Sequence, residues 1–212
     1  LVPDLPGHGR TPGPAAETIA DLVDWTLSLL ADCGVVKAHV VGHSLGSLVA
    51  VGTAAANPAL VERIVLLGSS DRLRVHPELL ERAHNGDRTV VDLMSAWSFP
   101  VANAGGSGAP GMSSAAATRR LLEGTALATI AAGLAACDSY DAAVPAATIS
   151  SPVLIVCGEG DRMAPRRGGA ALANAFPNAA LRVLPRTGHC MMLERPGEVA
   201  RILLSWFASG EG

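Results

Sequence analysis

Apolar runs of strand length alternate along this chain with amphipathic stretches of helix length, and few folds accommodate that rhythm. The strand candidates are Val36 to Val41, ending at Gly42; Val61 to Leu67, closed by Gly68-Ser69-Ser70; Val153 to Cys157, ended by Gly158; and Leu181 to Leu184, ended by Pro185. These runs are apolar without alternation, the pattern of strands covered on both faces. Helical patterns fill the gaps. Ala16 to Cys33 sets Ile19, Leu22, Val23, Leu27 and Leu30 along one face, and Leu45 to Ala56 is a small-residue helix stopped by Asn57-Pro58. Arg167 to Phe176 follows, then Pro196 to Ala208, with proline at its opening and Val199, Ile202, Leu203 and Phe207 at helical spacing. Such alternation predicts the α/β class: a mostly parallel, doubly wound sheet with right-handed crossovers.

One stretch breaks the rhythm. From Asp71 to about Ser150 no strand pattern occurs, and helical segments near Pro77 to Ala83, Val90 to Trp97 and Ala115 to Ala136 surround a Gly/Pro-rich loop, Pro100 to Gly111. Because the strand pattern resumes at Val153, residues 71–150 read as an inserted helical cap rather than a separate domain. Residues 1–70 and 151–212 then form the core. A length of 212 residues fits one domain with a subdomain.

Composition narrows the function classes. The net charge of −3 offers no basic field for nucleic acid or an anionic membrane. The longest weakly polar run, Thr125 to Cys137, is well short of the roughly 20 residues that span a bilayer. No secretory signal pattern opens the sequence. Cys33, Cys137, Cys157 and Cys190 are widely spaced with no C-x-x-C pair, so neither a zinc site nor a disulfide framework is expected. Reduced thiols in a cytoplasmic protein are the expectation. Oligomeric state is left open.

Gly42-His43-Ser44-Leu45-Gly46 matches G-x-S-x-G, a weak signal alone but one in context here: a strand candidate precedes it and a small-residue helix follows. A sharp strand-to-helix turn requires small residues at the flanking glycines, where side chains would clash, and it lifts the serine hydroxyl to a helix N-terminus. Gly158-Glu159-Gly160-Asp161 follows the third strand run, and Gly188-His189 follows the fourth. Catalytic groups of open α/β sheets gather at these carboxyl ends. Ser44, Asp161 and His189 therefore occur in Ser…Asp…His order, each just past a strand.

With these motifs the chain resembles the α/β-hydrolase superfamily in its capped bacterial form. Asp4-Leu5-Pro6-Gly7-His8-Gly9-Arg10-Thr11 is similar to the D-x-P-G-H-G-x-[ST] segment upstream of the elbow in that superfamily, and Gly188-His189 through Glu194-Arg195-Pro196 to its histidine loop with a trailing E-x-P. The resemblance covers nearly the whole chain except the cap. It implies acyl transfer to water: Ser44 as nucleophile, His189 as base and then acid, Asp161 orienting the imidazole, and the Leu45 N–H as one oxyanion donor. Neither a metal nor an organic cofactor is implied. Serine rather than aspartate at the elbow argues against the haloalkane dehalogenase and epoxide hydrolase branches.

The substrate class implied is a small carboxylic ester, thioester or lactone. The same triad also serves acyltransferases, C–C bond hydrolases and cofactor-free perhydrolases, and a non-catalytic ligand-binding member or inactive fragment is a reading from another class. Asp71, just past the preceding strand, is the alternative acid. His43, Met94, Trp97, Met163 and Met191 are candidates for the substrate pocket, with core or cap packing as the rival account of each. His8 reads as a turn residue, Glu159 as a solvated loop charge, and Arg166-Arg167 as a charged helix start that an anionic substrate could use. Relatives carry several strands before the D-x-P-G-H-G segment and take a second oxyanion N–H from a loop there. On that basis the chain is expected to lack roughly fifty or more residues of the ordinary fold, exposing a sheet edge.

Overall fold

A computed structural model describes residues 1–100 and 113–208. Four strands, β1 (Ala38–His43), β2 (Val61–Leu67), β3 (Val153–Gly158) and β4 (Ala179–Leu184), pair in parallel in the order β1-β2-β3-β4. The described helices are α1 (Ile19–Asp32), α2 (Leu45–Ala56), α3 (Pro77–His84), α4 (Thr89–Ser98), α5 (Ser114–Glu123), α6 (Leu127–Ser139), α7 (Ala143–Ala146), α8 (Arg166–Ala175), α9 (Met191–Glu194) and α10 (Pro196–Ala208).

Successive residues of a strand point to opposite faces, and here both faces are dry. Ile64 and Leu66 of β2, with Val153, Ile155 and Cys157 of β3, enter a core shared with Ile19 and Leu22 of α1, Leu48 and Val51 of α2, and Leu172 of α8. The residues between them, Val65, Leu67, Leu154 and Val156, enter a second core with Met191 of α9 and Val199 and Ile202 of α10. The sheet is therefore doubly wound in its centre. At its two ends the expectation of complete cover fails: Val41 of β1 is 45% exposed and Leu181 of β4 is 41% exposed. An outer strand has a neighbour on one side only, so an apolar run does not by itself establish burial.

Local chemistry sets the element ends. Thr18 caps α1, accepting from the Asp21 N–H while the Asp21 carboxylate accepts from the Thr18 N–H, so the helix starts at Ile19 rather than Ala16. The run Ala115 to Ala136, expected as one helix, is two: α5 ends at Gly124 and α6 begins after Ala126, with a turn of 107° between them. Between β2 and β3 the described residues hold α3 to α7. A third apolar cluster gathers Leu79 and Ala83 of α3, Val90 and Val91 of α4, and Ile130 and Leu134 of α6. The Gly/Pro-rich loop lies, beyond Pro100, outside the described residues. No single described helix is long and apolar enough to cross a membrane.

Candidate active site

β1 passes into α2 through one residue, Ser44, whose φ of 52° and ψ of −121° lie where non-glycine residues seldom go. Such a conformation costs about 1–3 kcal/mol and persists only where surroundings enforce it. Here the Ser44 N–H donates to the Leu67 carbonyl (3.0 Å), and the Ser44 carbonyl accepts from the Ser47 N–H (2.8 Å) and the Ser47 hydroxyl (2.5 Å). The turn is tight: a Cβ on Gly42 would sit 2.2 Å from the Gly46 carbonyl oxygen and 2.6 Å from Ser47 Cα. The crowding expected at both flanking glycines holds only at Gly42. A Cβ on Gly46 would meet nothing within 4 Å, because it is the Gly46 main chain that closes on Gly42. Leu45 opens α2, so its N–H is among the first four with no acceptor inside the helix.

At the carboxyl ends of β3 and β4, Asp161 and His189 meet. Both are buried, and His189 Nδ1 lies 2.9 Å from Asp161 Oδ2. The other carboxylate oxygen, Oδ1, accepts from the N–H groups of Met163 and Ala164, both at 2.8 Å. Asp161 can only accept when ionised, so Nδ1 carries the imidazole proton and Nε2 is left as a base. Gly68, at φ 56°, floors this pair: a Cβ there would stand 3.0 Å from His189 Nδ1 and 3.3 Å from Asp161 Oδ2.

The histidine loop is pinned from two sides. The N–H groups of His189 and Cys190 both donate to the Ser98 carbonyl at the end of α4 (2.9 and 3.3 Å), and the Gly188 N–H donates to Glu194 Oε1 (2.9 Å). Glu194, the acid of the trailing E-x-P, thus closes the loop that presents His189. Glu159 is exposed but also anchored, accepting from the Arg186 N–H at 2.9 Å where Arg186 takes a left-handed turn.

His43, the second residue of the elbow, ties it to this loop. Its ring centroid is 4.6 Å from that of His189, and its Nε2–H donates to the His189 carbonyl at 2.9 Å. Burial, with the neighbouring His189, lowers the His43 pKa to about 3, so it stays neutral and acts as a fixed donor. Asp71 goes elsewhere: its Oδ1 accepts from the Ser70 hydroxyl at 2.9 Å, and Asp161 is the carboxylate in contact with His189. His8 closes its own turn through Nδ1 and the Pro6 carbonyl (3.1 Å). Burial pushes the Cys190 thiol up to about 11, so this neighbour of His189 is protonated at neutral pH. Among the described residues, no group of three or more His, Cys, Asp or Glu side chains could hold a metal ion.

Ser44 opens on a cavity of about 770 Å³. Its hydroxyl makes no hydrogen bond among the described residues; contacts of this kind often tighten only around substrate. Of the pocket candidates, Trp97 and Met163 line this cavity. Met191 is wholly buried in the core beneath α10, and Met94 packs among the helices of the third cluster. Residue type alone does not separate the methionines that line the cavity from those packed in the clusters. Arg72, Arg74 and Arg162 also line the cavity and carry no motif. Their one sequence signal is position, just past the carboxyl ends of β2 and β3.

The model of the alpha/beta hydrolase family matches residues 1–202. The chain is 30% identical over 227 residues to the pimeloyl-[acyl-carrier protein] methyl ester esterase of Aromatoleum aromaticum, covering 95% of this chain and 84% of that protein. A thermophilic esterase of known structure is 29% identical, with a TM-score of 0.82 over 97% of this chain and 79% of that one. The enol-lactonase from Burkholderia xenovorans LB400, at 24% identity, shares the fold with a TM-score of 0.87 over the same shares of the two chains.

Proposed function

This chain belongs to the alpha/beta hydrolase family, and from that premise we propose that it is a serine hydrolase cleaving a small carboxylic ester, thioester or lactone. The observation that carries the reading is a convergence: a serine held at φ 52° on a cavity wall, preceded in the chain by His43, whose ring lies 4.6 Å from that of His189, and His189 itself buried against Asp161 past the ends of β4 and β3. The esterase names of two relatives, at 30% and 29% identity, support it.

In this reading Ser44 Oγ attacks the substrate carbonyl while His189 Nε2 takes its proton. The imidazolium is stabilised by Asp161, whose two backbone donors hold it in place. The negative charge on the carbonyl oxygen is met by the Leu45 N–H; losing one such donor typically costs about 10²–10³ in rate. Collapse expels the alcohol, thiol or lactone alkoxide, which takes the proton from His189. Water, deprotonated by the same nitrogen, then releases the acid and restores the Ser44 hydroxyl. Residues 71–150 act as a cap whose inner face shapes the acyl pocket, a role supported by their own apolar cluster and by Trp97 and Leu134 at the cavity. The four cysteines carry no disulfide, which suits a cytoplasmic enzyme. Steady-state hydrolysis of p-nitrophenyl esters of rising acyl length by the wild type and Ser44→Ala tests the reading. A folded Ser44→Ala protein that retains the wild-type rate would refute it.

A further inference from the structure

The cavity in front of Ser44 is cationic. Arg72 and Arg74 reach it from the segment beyond β2, Arg162 from the loop that carries Asp161, and Arg167 from the first turn of α8. Against four guanidinium groups, Asp71 is the one carboxylate among the described lining residues. Arg72 is already paired with Asp141. Arg162 lies over the Trp97 ring, 5.2 Å from its centroid. Neither Arg74, Arg162 nor Arg167 pairs with a carboxylate among the described residues.

The excess is local, for the chain as a whole carries a net charge of −3. Leu73, buried between Arg72 and Arg74, anchors their segment and leaves both arginines at the surface of the cavity. Guanidinium groups stay charged at any working pH and match a carboxylate with two parallel N–H donors. A cleft lined by one sign of charge concentrates ligands of the other. Ser70, Asp71 and His76 also line the wall, and beside them Val75, Leu79, Trp97, Leu134 and Met163 supply an apolar stretch able to hold an aliphatic spacer.

We infer that the substrate carries a second, free carboxylate. It is a half-ester of a dicarboxylic acid, whose ester carbonyl meets Ser44 while the free acid docks on Arg74, Arg162 and Arg167. This rests on the serine hydrolase reading and adds to it the feature that selects the substrate. Exposed guanidinium groups are screened, so the selection weakens as ionic strength rises.

The test compares mono-p-nitrophenyl glutarate with its neutral partner, p-nitrophenyl methyl glutarate. Wild-type kcat/KM is expected to favour the anionic ester by about tenfold or more at low salt, and less at high salt. In Arg74→Gln, Arg162→Gln, Arg167→Gln and the triple variant the ratio of the two kcat/KM values falls, by about tenfold or more in the triple. Single variants keep the test decisive if the triple fails to fold. Hydrolysis of both esters at similar rates, or a ratio unmoved in the variants, overturns the inference and leaves the hydrolase reading standing. Hydrolysis of neither by folded protein counts against the hydrolase reading instead. Calorimetric binding of glutarate to Ser44→Ala then decides the arginine site on its own: about tenfold weaker binding after the three substitutions supports it, and unchanged binding overturns it.

Discussion

Replacing Asp161 by Asn alters one atom and reverses the chemistry of His189. Asp161 Oδ1 serves the N–H groups of Met163 and Ala164, both at 2.8 Å. An asparagine has a single acceptor oxygen, and two orientations compete for it. Turning the amide nitrogen to the backbone would orphan the buried Ala164 N–H and the part-buried Met163 N–H, at about 1–3 kcal/mol for the first and less for the second. Keeping the oxygen there only exchanges a charge-assisted hydrogen bond to His189 for a neutral one, a cost of about 1 kcal/mol, and therefore wins. The amide N–H₂ then faces His189 Nδ1 across 2.9 Å. Two donors cannot share that contact, so the imidazole proton moves to Nε2 and the ring can no longer accept from Ser44. On this account kcat falls about 10⁴-fold while the fold survives. Asp71→Asn keeps an acceptor for the Ser70 hydroxyl and is expected to leave kcat on a neutral ester within about threefold. The assay is kcat on p-nitrophenyl butyrate, with melting followed by circular dichroism. An Asp161→Asn protein retaining more than about a tenth of the activity would refute the tautomer argument, as would a larger loss in Asp71→Asn.

Further outcomes follow from the same geometry. Gly42→Ala drives a Cβ to 2.2 Å from the Gly46 carbonyl oxygen and should abolish folding or lower Tm sharply, whereas Gly46→Ala, with nothing within 4 Å, should melt like the wild type; equal effects would contradict the elbow packing. His43 has its pKa lowered to about 3 from an ordinary value near 6.5, so below pH 6.5 the unfolded chain binds a proton that the folded one refuses. Stability should be flat in this respect above pH 6.5 and lost below it, with a slope approaching about 1.4 kcal/mol per pH unit from this one group. Urea unfolding of wild type and His43→Gln between pH 7.5 and 4.5 isolates it, and parallel curves would count against it. Glu194→Ala leaves the Gly188 N–H without its 2.9 Å acceptor and should cost about 1–2 kcal/mol of stability and part of kcat, both restored by Glu194→Gln; a failure of Gln to rescue would point to the charge instead.

The legible part of the site was the part tied to strand ends. Gly42 to Gly46, Asp161 and His189 each follow an apolar run, the first two runs closed by Gly42 and Gly158 and the third by Pro185, and those two glycines are where main chains touch: Gly42 on Gly46, and Gly158 on the Gly188 carbonyl, where a Cβ would come within 2.2 Å. What the sequence concealed depends on neighbours distant in the chain. Val41 and Val65 look alike as strand valines, yet one is 45% exposed on an outer strand and the other fully buried. Met163 lies two residues past Asp161 and Met191 two past His189, and only the packing of α10 sends Met191 into the core. The arginine wall assembles from residues 72, 74, 162 and 167, and no local pattern joins the first pair to the second. The break between α5 and α6 is hidden in an alanine-rich stretch where Gly124 is the only cue.

The central claim is that Ser44 is an activated nucleophile, and covalent trapping tests it most directly. A fluorophosphonate probe incubated with the folded protein, followed by intact-mass measurement and peptide mapping, should give a single adduct on the peptide holding Ser44. Ser44→Ala should give none, and Asp161→Asn should label far more slowly than the wild type. A folded wild-type protein that takes up no label, or a label that persists in Ser44→Ala, would contradict the account.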